Sequence, residues 1–409
     1  MSVAASRARV VVVGGGAAGA SAAHLLARDG GGRLDITLIE PSGTYTSCFQ
    51  SNLYLGDYRG LASLQHDYRR LAARHGVRVL EERAAHIDRD KRLVTLTGVG
   101  SGARGDTLGY DRLIVAPGIQ LVHDSLPGYS ASVAELAPHA WQGADQLALL
   151  KSRLDALVNG DDVIIVAPPN PYRCPPGPYE RASMIARLFE RRGMSDSRIT
   201  ILDTKTAFSK QALFEAAWQR HYPNTIEWLP PDVHGGILSI DAVNGIVETD
   251  LDTFEGQLLN LIPAQRAGSI AQDASLTDAS GFCPIDPATM RSALDPAISV
   301  LGDACSAGDM PKSAFAAHSQ ARVAVTNLLG ELLDRPVPTA RYGNICWSQV
   351  ADDDAVKVGG SYASSSDRIT TSSSFISEAS DEGATREANV SEAQAWYRSI
   401  TADMFGGDA

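Results

Sequence analysis

A run of four valines, Val10 to Val13, breaks into Gly14-Gly15-Gly16-Ala17-Ala18-Gly19, and the chain then passes through the helix-like stretch Ala20 to Arg28 before returning as Asp35 to Glu40. Strand, glycine-rich turn, helix and strand in that order predict the opening of a doubly wound α/β sheet. Gly14 suits the backbone angles of a tight turn, Gly16 lets the main chain approach a pyrophosphate, and Gly19 lets the helix lie close on the sheet. Ala17 and Ala18 lie in this turn as cofactor-binding candidates, and the phosphates would sit at the N-terminus of the helix that follows, where free N–H groups and the positive dipole end face an anion. Glu40 closes the second strand, where a carboxylate accepts hydrogen bonds from ribose hydroxyls. A lone glycine pattern is weak evidence. With a strand before it, a helix after it and an acidic residue roughly 20 positions on, it indicates a dinucleotide site.

The 409 residues exceed one ordinary core and point to two or three domains. A net charge of −12 and the absence of a Lys/Arg-rich block argue against nucleic acid and against an anionic membrane surface. An acidic face suits a basic protein partner instead. No apolar run approaches the roughly 20 residues needed to span a bilayer, and Met1 to Arg9 lacks the apolar core of a secretory signal. The chain reads as a soluble protein or the mature part of an exported one. No metal site is expected, and five cysteines in a chain of this length do not form a disulfide scaffold.

Further along, Leu61 to His75 has helical spacing, and Tyr110 to Gly118 reads as a short buried strand ending in Ala116-Pro117-Gly118. A second unit of the same kind follows, with a strand at Asp162 to Ala167, a helix at Ala182 to Arg192 and a strand ending at Asp203. Where a glycine fingerprint should stand, it has Pro168 to Glu180, whose prolines remove N–H donors and suit a pyrophosphate poorly. Ile298 to Asp303 is a strand ending in Gly-Asp, Ser313 to Leu333 a long helix, and Ser391 to Phe405 a final amphipathic one. The expected architecture is α/β: two Rossmann-like dinucleotide-binding domains, each a three-layer sandwich, plus a small α+β C-terminal domain. Residues 1–125 and 255–335 would bind the dinucleotide, 126–254 would form the second unit, and 336–409 an interface domain.

Three pieces converge on one cofactor: the Gly14 turn with Glu40, the Ala116 to Gly118 strand end, and Gly302-Asp303 opening a helix. An Asp at that position accepts from ribityl hydroxyls, and a helix N-terminus favours the negative charge that reduction builds on an isoalloxazine. FAD is therefore the expected dinucleotide, with Lys312 a candidate positive charge beside it. Cys174 sits in the proline-rich turn and Cys346 in the Tyr342 to Ser348 segment. If they pair, the bridge would be long-range and able to exchange electrons with a flavin; spacing alone leaves the connectivity open.

The segment Tyr172 to Ser183, with Leu261 to Gly268, Gly302-Asp-Ala-Cys305, Pro311-Lys-Ser-Ala314 and Trp396-Tyr397, resembles the flavoprotein subunit of flavocytochrome c sulfide dehydrogenase, a relative of the sulfide:quinone oxidoreductases and disulfide reductases. The likeness covers nearly the whole chain. It implies FAD joined through its 8α-methyl group to Cys48, a redox-active disulfide of Cys174 with Cys346, and Glu180 moving protons during sulfide attack. It also implies sulfide as substrate, a c-type cytochrome as partner and a periplasmic location; without export the location would be cytoplasmic. No Cys-x-x-Cys-His occurs, so the haem would belong to another polypeptide. Cys283 and Cys305 read as buried structural thiols. Two rival readings are a sulfide:quinone oxidoreductase, which should show an apolar membrane foot, and a flavin-binding interaction module without catalysis.

Overall fold

The computed structural model describes residues 7–98 and 105–407. Its first sheet has the strand order Arg291–Ser292, Asp295–Val300, Arg112–Val115, Ala8–Val13, Leu34–Ile39 and Arg78–Leu80. Every pairing is parallel except that of the Arg291–Ser292 edge. Val10 to Val13 are buried on both faces, which a parallel strand covered by helices requires. The helix Ala17–Gly30 buries its alanines against this sheet and lies against the long helix Ala314–Leu333, which Ser313 caps through the Ala316 N–H.

The second sheet has the order Ile226–Leu229, Ile199–Asp203, Val163–Ala167 and Leu258–Leu261, all parallel. Leu258–Leu261 pairs with Val163–Val166, so the chain leaves this unit only after that strand rather than at residue 255. The helix Gly177–Arg192 covers the sheet and packs on the last unit, the antiparallel strands Arg341–Ala351, Asp354–Ser364 and Ile369–Ile376 followed by the helix Gly383–Phe405.

Four local expectations change. Leu61 to His75 is not one helix: a 3-10 turn at Leu61–Leu64 leads into the strand Gln65–Asp67, which pairs with Thr44–Thr46, and the helix starts only at Arg69. The helix expected from Ala182 begins at Gly177, because Pro178 lies in its first turn, where a missing N–H costs nothing. Gly302-Asp303 forms a 3-10 turn, and the long helix begins only at Ala314. The last helix starts at Gly383 rather than Ser391. Among the described residues, no helix is long and apolar enough to cross a membrane.

Candidate functional site

The carboxyl ends of the first sheet open onto a cleft of about 600 Å3 lined by Gly14, Gly16, Ala17, Ala18, Glu40, Cys48, Ala116, Gly118, Gly302 and Asp303, among others. Gly14 holds φ at +94°, and a Cβ there would stand 2.3 Å from the Ala116 carbonyl oxygen. Gly19 lies behind the cleft, where a Cβ would stand 1.8 Å from the Gly14 oxygen, so only glycine lets helix and turn meet. No side chain caps the helix at Gly16, which leaves its first N–H groups to the cleft. Glu40 accepts from the Gly15 N–H at 2.7 Å and from the Ser42 N–H at 3.2 Å, bracing the turn from the next strand.

Asp303 reaches the same cleft from the far side. Its Oδ1 is sealed from solvent without a hydrogen-bond partner in the protein. A buried orphan acceptor calls for a donor, and burial pushes its pKa up while Arg173 and Lys312 pull it down. With a glycine turn, uncapped N–H groups, the Glu40 carboxylate on the cleft wall and this orphan oxygen, the residues fit FAD. Lys312 is turned away: its ammonium donates to the carbonyls of Asp303 and Cys305 at 2.8 and 2.9 Å and lies 3.9 Å from the Phe282 ring centre, so it braces the Asp303 loop.

A smaller cavity of about 100 Å3 adjoins the cleft and shares Cys48, Trp141, Arg173 and Ser313 with it. Cys174, Cys346 and Glu180 line it, together with Phe49, Phe315, Trp347 and Trp396. The fold thus brings together three cysteines from positions 48, 174 and 346. All five cysteines are free thiols. Cys174 adopts a left-handed φ of 58°, its N–H donates to the Lys312 carbonyl at 2.8 Å, and its own carbonyl accepts from Gly177 at 2.8 Å. Gly177 is required here: a Cβ would stand 2.5 Å from the Trp141 ring and 3.2 Å from the Cys174 sulfur. Cys346 lies on the strand Arg341–Ala351, and the Asn344 amide donates to its sulfur at 3.5 Å. Burial raises the pKa of both thiols. Cys48 follows the strand Thr44–Thr46, with the Tyr45 hydroxyl 3.9 Å from its sulfur.

Glu180 stands in the first turn of the Gly177–Arg192 helix. Its carboxylate accepts from the Asn52 amide at 2.8 Å and from the Gln349 N–H at 3.1 Å, while burial pushes its pKa up. Around it stand residues that sequence reasoning missed. Arg181, only 1% exposed, donates to Asn52, Asn260, His139 and Ala140, and burial lowers its pKa to about 9. Lys210, 5% exposed, donates to the Ser348 hydroxyl at 2.7 Å and to the Cys346 carbonyl at 3.2 Å. A Lys or Arg among polar neighbours reads as solvated, and only tertiary packing buries these two. Cys283 and Cys305 lie outside both cavities, buried opposite one another on a short parallel strand pair.

Residues 147–263 match the family described as the central part of the sulfide dehydrogenase [flavocytochrome c] flavoprotein chain, and 338–405 match the flavin-binding family of flavocytochrome c sulphide dehydrogenase. Residues 8–166 match the pyridine nucleotide-disulphide oxidoreductase family. Among solved structures, the sulfide:quinone oxidoreductase of Aquifex aeolicus is similar at 15% identity and a TM-score of 0.78, over 98% of this chain and 93% of that one. An NAD-dependent persulfide reductase from A. fulgidus is similar at 17% identity and a TM-score of 0.66, over 95% and 77%. These structural likenesses bear on the fold alone. The family matches extend across the glycine turn, the Cys174 turn and the Cys346 strand, and the chain belongs to the flavoprotein subunits of flavocytochrome c sulfide dehydrogenase, flavin-dependent oxidoreductases of sulfide.

Proposed function

We propose that this chain is a sulfide–cytochrome c reductase that uses Cys174 and Cys346 as a redox-active pair, holds FAD covalently through Cys48, and serves a c-type cytochrome on a separate polypeptide. One observation carries the reading: the cavity holding Cys174, Cys346 and Glu180 opens beside the dinucleotide cleft, with Cys48 on the wall of both. A periplasmic setting belongs to the same proposal and rests on the family resemblance.

In the oxidised pair, hydrosulfide attacks one sulfur of the disulfide. A new S–S bond forms to that sulfur, the inter-cysteine bond breaks, and the electron pair stays on the other cysteine as a thiolate. A second hydrosulfide takes the outer sulfur away as hydrogen disulfide and leaves both cysteines reduced. FAD bound in the cleft supplies a two-electron acceptor for the dithiol and a one-electron donor for a haem. Glu180, with its pKa raised by burial, is suited to take the proton of hydrogen sulfide and release it later. The aromatic wall of Phe49, Trp141, Phe315 and Trp396 keeps bulk water from the persulfide.

The acceptor is tested by mixing sulfide-reduced protein with a soluble c-type cytochrome and, separately, with a soluble quinone. Rapid cytochrome reduction that weakens with salt is expected, because a chain of net charge −12 attracts a basic partner. Efficient reduction of the quinone and none of the cytochrome would favour a quinone reductase.

A further inference from the structure

The Gln211–His221 helix begins with a lysine rather than a short polar cap. Lys210 holds a left-handed φ of 63° at the N-cap, and its side chain runs inward to a buried ammonium. Side chains two apart on a strand share a face, about 7 Å apart along it. Asn344, Cys346 and Ser348 therefore share one face of the strand Arg341–Ala351. The Lys210 ammonium donates to the Ser348 hydroxyl and to the Cys346 carbonyl, which sets a buried positive charge on the face that carries the Cys346 sulfur. No carboxylate lies within ion-pair distance of it among the described residues. Burial lowers its pKa while Cys346, Glu180 and Cys174 raise it, so a surface role does not explain a cation there and Glu180 is the carboxylate that feels it.

We propose that Lys210 is a positioning residue that selects Cys346 as the sulfur left as thiolate, so that hydrosulfide adds to Cys174. The inference rests on the disulfide reading above. In the step, hydrosulfide sulfur bonds to the Cys174 sulfur, the Cys174–Cys346 bond breaks, and its electron pair remains on Cys346 beside the ammonium.

The surroundings of the two sulfurs differ accordingly. Around Cys346 the charged groups are Lys210 and, farther in effect, Glu180; Cys174 and the Tyr362 hydroxyl are its other titratable neighbours. Around Cys174, Glu180 is the foremost charge, followed by the Cys346 and Cys48 sulfurs, with Lys210 last. The guanidinium groups of Arg173 and Arg181 also neighbour Cys174, but Arg173 donates to the Trp141 carbonyl and also feels Cys48 and Asp303, and Arg181 is committed to four oxygens. The helix that starts at Gly177 favours a Cys174 thiolate, and Glu180 in its first turn opposes that.

The test uses the reduced, flavin-loaded protein under argon. Iodoacetamide alkylation of each cysteine is followed against pH by peptide mass spectrometry in wild type, Lys210→Met and Lys210→Arg. In wild type Cys346 should alkylate at lower pH than Cys174. In Lys210→Met the Cys346 rate near neutral pH should fall about tenfold, which corresponds to one pH unit, with Cys174 unmoved, and Lys210→Arg should restore it. A second measurement reacts oxidised wild type with one equivalent of sulfide and maps the added sulfur, which should sit on Cys174. The reverse alkylation order in wild type, an unchanged Cys346 profile in Lys210→Met, or a persulfide on Cys346 overturns the assignment while leaving the disulfide reading intact. If neither cysteine gains a sulfur, the disulfide reading itself fails. The wild-type measurements decide the matter even if Lys210→Met does not fold.

Discussion

The main-chain nitrogen of Cys174 donates to the carbonyl oxygen of Lys312 at 2.8 Å, and the Lys312 ammonium donates onward to the carbonyls of Asp303 and Cys305. Two short links thus fix the turn that carries Cys174 to the loop that carries Asp303. Lys312→Met should keep the main-chain bond and lose the ammonium bonds. Stability should fall by about 1–3 kcal/mol, the cost of unpairing buried carbonyls. Guanidinium unfolding measures it, and an unchanged midpoint would remove Lys312 from this role.

Gly19→Ala places a methyl where the Gly14 oxygen now stands, 1.8 Å from the ideal Cβ. Helix and turn must separate, at about 1–3 kcal/mol. The variant should unfold at lower denaturant and purify with a reduced flavin-to-protein ratio.

Asp303 is tested where the flavin is free to leave. In a Cys48→Ser background, acid precipitation should release all flavin, whereas wild type should keep it bound to the pellet. Adding Asp303→Ala should then weaken FAD binding about 10- to 100-fold, because hydrogen bonds to a charged group contribute about 1.5–3 kcal/mol. Equal FAD affinity with and without Asp303 would assign the orphan oxygen to something else.

Glu180 makes stability depend on pH. Its folded pKa is raised by burial above the ordinary 4.5, so the folded state holds the proton longer than the unfolded chain. Its contribution is complete below the ordinary value and is lost as pH rises through the folded one. Glu180→Gln is neutral throughout. The unfolding free energy of the variant relative to wild type should therefore improve as pH climbs from 4 to 8, and its sulfide reaction should lose one ionisation from the pH–rate profile. A stability difference that stays flat over that range would mean Glu180 titrates normally.

The glycine turn of the cleft was legible in the sequence because its determinants are local. The Gly14 turn, its strand and its helix are contiguous, and the 2.3 Å and 1.8 Å approaches at Gly14 and Gly19 are what their glycines announce. The three cysteines of the thiol cavity stand more than a hundred residues apart in the chain, so from sequence they came together only through family resemblance. Its buried cations were not legible: Arg181 on the cavity wall and Lys210 bonded to the Cys346 strand gain their meaning from burial. Prolines misled in one place, since Pro176 and Pro178 read as part of a turn yet start a helix, which agrees with Glu180 as a helix N-terminal carboxylate. At Leu61 to His75 the apolar spacing of a helix was overridden by pairing of Gln65–Asp67 with Thr44–Thr46.

The central claim is that sulfide reduces the flavin only by way of Cys174 and Cys346. The most direct measurement is an anaerobic titration of the visible flavin spectrum with sulfide, and separately with dithionite, in wild type, Cys174→Ser and Cys346→Ser. The account predicts that sulfide bleaches wild type alone and that dithionite bleaches all three. Bleaching of either serine variant by sulfide at the wild-type rate would contradict it.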